Sequence, residues 1–108
     1  MAATTDATPL DDRDVRALTR RMSVLDDVGR VKDASMLYLV VSESGSEYLV
    51  DLYQESCECP DARYRDVRCQ HIRRVEFHTG ERKIPAWADR SAIDPFLLGA
   101  VAGGEGND

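Results

Sequence analysis

Cys57-Glu58-Cys59-Pro60 and, further on, Cys69-Gln70-His71 decide how this chain is read. Written as a pattern they are C-x-C, nine intervening residues, then C-x-H. Three thiols and an imidazole are the four soft or borderline donors of a closed tetrahedral zinc site. The chain holds three cysteines and the pattern uses all of them; one of two histidines completes the set, leaving His78 outside. The expected ligands are Cys57, Cys59, Cys69 and His71, with Zn2+ as the cofactor.

Other readings explain less. A disulfide would leave an odd cysteine in a chain without a secretory signal. A catalytic Cys–His pair would not explain the other two thiols, and three unrelated buried cysteines are a further alternative. The tight spacing has its own logic. The two thiolates of C-x-C leave a sharp turn, which Pro60 stiffens by locking its backbone angle. The C-x-H donors leave the first turn of a helix together: Ile72 and Val75 recur at helical spacing and Gly80 is a natural stop, so a helix is expected over 69–79.

At these residues the sequence resembles the SWIM zinc finger, whose pattern is C-x-C, a variable spacer and C-x-H. The resemblance spans about residues 36–83 and implies a ββα arrangement: a β-hairpin (36–42 and 47–53) feeding the C-x-C and a helix carrying the C-x-H. Small cytosolic proteins of salt-loving archaea are also similar over a longer span. SWIM domains serve DNA or protein binding in larger machines and are not themselves catalytic, so the resemblance implies a non-enzymatic binding module.

One hundred and eight residues suit one domain, and a hydrophobic fraction of 43% allows a small core. Aromatics amount to only 6%, which makes a metal staple the more useful. The amino-terminal stretch is polar and acidic, unlike a targeting peptide, and no apolar run is long enough to span a membrane. A reducing cytoplasm is the expected setting. Thirteen Asp and seven Glu face twelve Arg and two Lys, for a net charge of −6. Such an Asp-rich, Lys-poor surface suggests a halophilic, salt-rich cytoplasm.

The charge is unevenly spread. Residues 57–83 carry seven basic and five acidic side chains, whereas the rest of the chain stands at −8. Three thiolates with Zn2+ would take one unit from the finger and leave it slightly positive. It is the one place where an anion is welcome.

Along the chain, residues 1–10 show no periodicity and are expected to be disordered. Residues 11–35 begin with a helix whose Val15, Leu18 and Met22 share a face, Asp11, Asp12 and Asp14 lying at the favourable end of its dipole and the arginines around it reading as a solvated face. The stretch 23–31 reads as an extended segment or short edge strand. Strand 36–42 is apolar on both faces and so is expected to be covered on both; Ser44-Gly45-Ser46 turns the chain, and in 47–53 Tyr48, Val50 and Leu52 oppose Leu49, Asp51 and Tyr53. Spacer 60–68 is expected to project as a loop. In 84–102, Trp87 is expected to close the core, and Asp94-Pro95 to cap and start a short apolar helix over 96–102. A flexible tail, 103–108, would follow. The fold class is α+β, a small antiparallel sheet packed with a helix, with flanking helices.

Two functions follow from these features. The first is a nucleic-acid (DNA or RNA) contact through Arg63, Arg65, Arg68, Arg73 and Arg74, with base stacking on Tyr53 or Tyr64 as an option. The second is a protein-interaction adaptor using the hairpin, the finger or the 96–102 segment. Catalysis at the metal is disfavoured, because four protein donors leave no open coordination position. Neither a membrane nor a small-molecule substrate is expected.

Overall fold

The computed structural model describes residues 10–106, so the disorder expected for 1–10 and the last two residues of the tail lie outside the described residues except at Leu10, which is half-buried and packed against the core. Four strands form one antiparallel sheet in the order β1 (Met22–Leu25), β2 (Leu37–Ser42), β3 (Glu47–Asp51) and β4 (Ser56–Cys57). Among the described residues four helices accompany it: α1 (Asp12–Thr19), α2 (Pro60–Arg65), α3 (Gln70–Thr79) and α4 (Pro95–Gly106). The α+β class holds, and the expected hairpin is the centre of a larger sheet. No described helix is long and apolar enough to cross a membrane.

The β2–β3 hairpin pairs Val41 with Glu47 and Leu39 with Leu49 around a turn where Gly45 takes φ +91°, a left-handed angle that glycine adopts at no steric cost. Period-two alternation then sorts the side chains. Val40 and Val50 are buried toward α3 with Tyr48 and Tyr38 packed beside them. Leu39 is buried on the opposite face, where a 3₁₀ turn (Gly29–Val31) lies against β2. The strand that reads apolar on both sides is thus covered on both sides.

Helix α3 is the pivot of the molecule. Its Ile72 and Val75 join Met22, Val40, Val50, Leu52 and the three cysteines in one core against the sheet. Its Phe77 belongs to a second core with Ala17, Leu18, Ile93 and Leu97, against α1 and α4. A helix that buries both of its sides needs a sharp end. Gly80 supplies it at φ +84°, its amide bonded to the Phe77 carbonyl at 3.3 Å.

Several sequence expectations are corrected here. Within the stretch 23–31 the short edge strand is present only at the start, where β1 pairs Met22 with Ser42 and Leu25 with Leu39, while 29–31 forms the 3₁₀ turn instead of extended chain. Helix α1 turns Asp14, Ala17 and Leu18 inward, while Val15 is exposed and Met22 lies beyond the helix in β1. The spacer is not a projecting loop: Pro60 starts α2, which ends at Asp66 in a left-handed conformation. Trp87 is 55% exposed, the core it was expected to close being filled by Ile93 and Leu97, with Ile84 and Ala88 packed alongside. Asp94 caps α4 as expected, accepting from the Phe96 amide, but the helix runs on to Gly106, past the expected end at Ala102 and into the tail.

Asp14, read from the sequence as a helix-dipole acid, is buried and takes hydrogen bonds from Arg73 (3.0 Å), from Arg82 (2.5 and 3.0 Å) and from the Asp11 amide (3.2 Å). Burial works to raise its pKa, but Arg82 and Arg73 outweigh burial and hold the carboxyl at about 2. A depressed carboxylate contributes stability that is fully present above its ordinary titration range and lost only as pH falls through about 4 toward 2. Asp14→Asn is therefore expected to cost about 2 kcal/mol. The deficit should be constant between about pH 6 and 8 in urea titrations.

Candidate metal centre

The four ligands come from two places in the fold. Cys57 ends β4, paired with Val50 of β3, so the sheet sets its position. Cys59 stands immediately before α2 and Cys69 immediately before α3, each giving its carbonyl to the first helical bond, from Arg63 and Arg73 at 3.1 Å. His71 lies in the first turn of α3. The nine-residue gap is thus spanned by α2 and its left-handed exit, which returns the chain to the donor cluster.

All four donor atoms lie within 4.8 Å of one another, and all four residues are buried. His71 Nδ1 is 3.8 Å from Cys57 Sγ and 3.7 Å from Cys69 Sγ. A metal about 2.3 Å from each sulfur and about 2.0 Å from the nitrogen, at tetrahedral angles, would set its donors roughly 3.5–3.8 Å apart. The residues present therefore fit a tetrahedral Cys3His ion through Nδ1. The Cys59 amide also approaches Cys57 Sγ at 3.5 Å, the kind of backbone contact that supports a thiolate in a tight C-x-C turn.

The electrostatics agree. Burial opposes charge on His71, but the adjacent Cys59 and Cys69 sulfurs outweigh it and lift the imidazole to about 9. Contact with Cys59, then Cys69, pushes the Cys57 thiol up, while the same contact with Cys57 pulls Cys59 down. Sulfurs this close cannot all be ionised without positive charge among them. A divalent ion supplies that charge and displaces the protons.

Two supports were not read from the sequence. The Tyr48 ring lies over His71, centroids 4.5 Å apart and tilted by 32°. Alternation with Val50 carried that signal, because it puts Tyr48 on the inner face of β3. Glu58, the residue between the first two cysteines, accepts from the Leu49 amide at 3.0 Å and from Arg30 at 3.1 and 2.6 Å. Its own amide bonds the Leu49 carbonyl at 3.2 Å. The knuckle is thereby tied to β3 and to the 3₁₀ turn; nothing local in the sequence marks this. His78 is half-buried and not part of the donor cluster, and burial followed by the Arg74 charge lowers its pKa.

The five arginines expected to meet nucleic acid separate into two groups. Arg74 is 1% exposed and paired with Asp94, so it presents nothing to a polyanion. Arg73 is held by Asp11 and Asp14, and Arg68 by Glu76. Arg63 and Arg65 remain exposed on α2; Arg65 has a 3.5 Å ion pair with Asp61, and Arg63 has no ion pair among the described residues. Between them Tyr64 is 87% exposed, and Tyr53 is 82% exposed at the start of the loop that leads to β4. An open groove of about 520 Å³, lined among others by Gln54, Glu55, Cys57, Arg63, Asp66 and Arg68, runs beside the metal centre. Compared with family models, curated proteins and solved structures, the chain finds no match.

Proposed function

We propose that this chain is a zinc-binding module of SWIM type that carries no catalytic activity and contacts nucleic acid beside the metal. The donor set supports zinc: three thiolates and one imidazole at tetrahedral spacing suit this ion, and four protein donors close its coordination shell. The observation that carries the contact is the exposed Arg63-Tyr64-Arg65 run on α2, with the groove lined by Gln54 and Arg63 at its side. Exposed tyrosines offer stacking faces that every base can use, and exposed guanidinium groups suit phosphate. With Arg68, Arg73 and Arg74 engaged internally, the basic contribution rests on Arg63 and Arg65.

Two charges make a weak electrostatic grip. In the salt-rich cytoplasm that the acidic composition suggests, a screening length of about 3 Å at roughly 1 M salt leaves only close contacts effective. Stacking, which salt does not screen, would then carry most of the affinity. Replacing Tyr64 together with Arg63 and Arg65 by Ala should weaken retention of a single-stranded oligonucleotide in a gel shift. At matched salt, an unchanged shift removes this reading.

The second reading, a protein-interaction adaptor, draws on the exposed Trp87 and the exposed Phe96 at the start of α4. Recovery at native salt of one stable protein partner, insensitive to nuclease, would favour it over nucleic acid.

A further inference from the structure

We infer that Tyr48 is a positioning residue for the metal centre: its ring holds the plane of the His71 imidazole, and so the direction in which Nδ1 meets the sulfurs. This rests on the metal-centre reading above. A histidine in the first turn of a helix has two side-chain torsions, and the one that turns the ring has a broad, roughly two-fold profile. A twist out of the observed plane would carry Nδ1 away from the sulfurs, so something must hold that plane.

On one side of the ring stand the sulfurs of Cys57 and Cys69, 3.8 and 3.7 Å from Nδ1. On another stands Tyr48, its ring centroid 4.5 Å from that of His71 and tilted by 32°. Tyr48 is itself steadied by β3, where it pairs with Val40 and packs against the sheet-side core. The imidazole therefore meets a rigid wall rather than solvent. The same ring covers an edge of the donor cluster, which slows the entry of water or a competing chelator. Aromatic pairs of this kind contribute beyond their buried area, which corresponds to roughly 2- to 12-fold in a binding constant.

The test uses the full chain loaded with cobalt(II), whose visible absorption reports the number and geometry of its thiolate and imidazole ligands. Tyr48→Phe keeps the ring and should match the parent in spectrum and in the rate of metal loss to a chelator. Tyr48→Met and Tyr48→Ile keep bulk without the ring. They should broaden or shift the ligand-field bands and release metal roughly 2- to 12-fold faster. The discriminating arm repeats the comparison with His71→Cys, where the fourth donor has no ring to orient. There the penalty of Tyr48→Met should vanish, whereas a general packing role would persist. Equal penalties in both backgrounds, or no penalty in either, overturn the assignment. A parent chain that takes up no cobalt at all would instead overturn the metal centre itself.

Discussion

Removing the metal with a chelator at neutral pH is expected to abolish the cooperative thermal transition and the near-ultraviolet circular dichroism of the packed tyrosines. The reason lies in where the donors sit. Cys57, Cys59 and Cys69 are members of the core that joins the sheet to α3, alongside Met22, Val40, Val50, Leu52, Ile72 and Val75. Without the ion, that core must keep three sulfurs and an imidazole in contact, and the charges and protons they share oppose burial. Structural zinc contributes an apparent 10–16 kcal/mol in small finger peptides, about as much as the whole net stability of a domain this size, roughly 5–15 kcal/mol. Cys69→Ser should reproduce the effect, since Cys69 is fully buried at the start of α3 and no further donor among the described residues joins the cluster to replace it. Acid should act like the chelator: thiolates and imidazole must lose their protons to hold metal, so retention falls as pH drops from 7 toward 5. Adding back the metal should restore the transition. A chelated sample, shown to be metal-free, whose melting curve overlays the untreated one would refute the idea that the ion holds the fold.

How far the sequence foretold this structure depends on the range over which each feature acts. The donor set was legible because both halves of the site are local: residues two apart, each pair at a turn that the chain makes by itself. The hairpin was legible for the same reason, through period-two alternation and Gly45. So was the end of α3, where Gly80 takes a left-handed angle. Helix α2 was misread although its signal was present, since Pro60 stands at the first helical position with Asp61 in the first turn. The inward face of α1 was misread because Asp14 goes in where Val15 was expected, and that exchange is decided by Arg73 and Arg82, far along the chain. Nothing local distinguishes an arginine that will meet solvent from one that will meet a buried carboxylate. Arg73-Arg74 reads as a basic surface pair, yet both are consumed in internal contacts.

Arg74 is the case with the largest consequence, and its replacement by methionine is expected to cost about 3–5 kcal/mol. Its guanidinium sits where the end of α1, the start of β1 and the cap of α4 converge. It donates to the carbonyls of Ala17 (3.2 Å), Arg20 (2.9 Å) and Met22 (2.9 Å), and to Asp94 Oδ2 at 2.5 Å. Asp94 in turn accepts from the amides of Met22 at 3.0 Å and Phe96 at 3.3 Å. Burial pulls the Arg74 pKa down, whereas Asp94, although burial raises it, is held below its ordinary value by Arg74 and those amides. Both groups therefore stay charged, and each is the other's only buried counter-ion among the described residues. Methionine fills much of the space but leaves Asp94 uncompensated and three carbonyls without donors. Asp94→Asn alone keeps an acceptor for the Met22 amide but strands the guanidinium, so it too should destabilise by several kcal/mol. Combining the two removes both stranded charges, and the double variant should be less damaged than the sum of its parts by about 1–3 kcal/mol. Urea titrations of the four metal-loaded proteins at pH 7 read this coupling directly. Strict additivity would mean that Arg74 acts through its carbonyl contacts alone, and that the ion pair with Asp94 adds nothing to holding α4 on the rest of the fold.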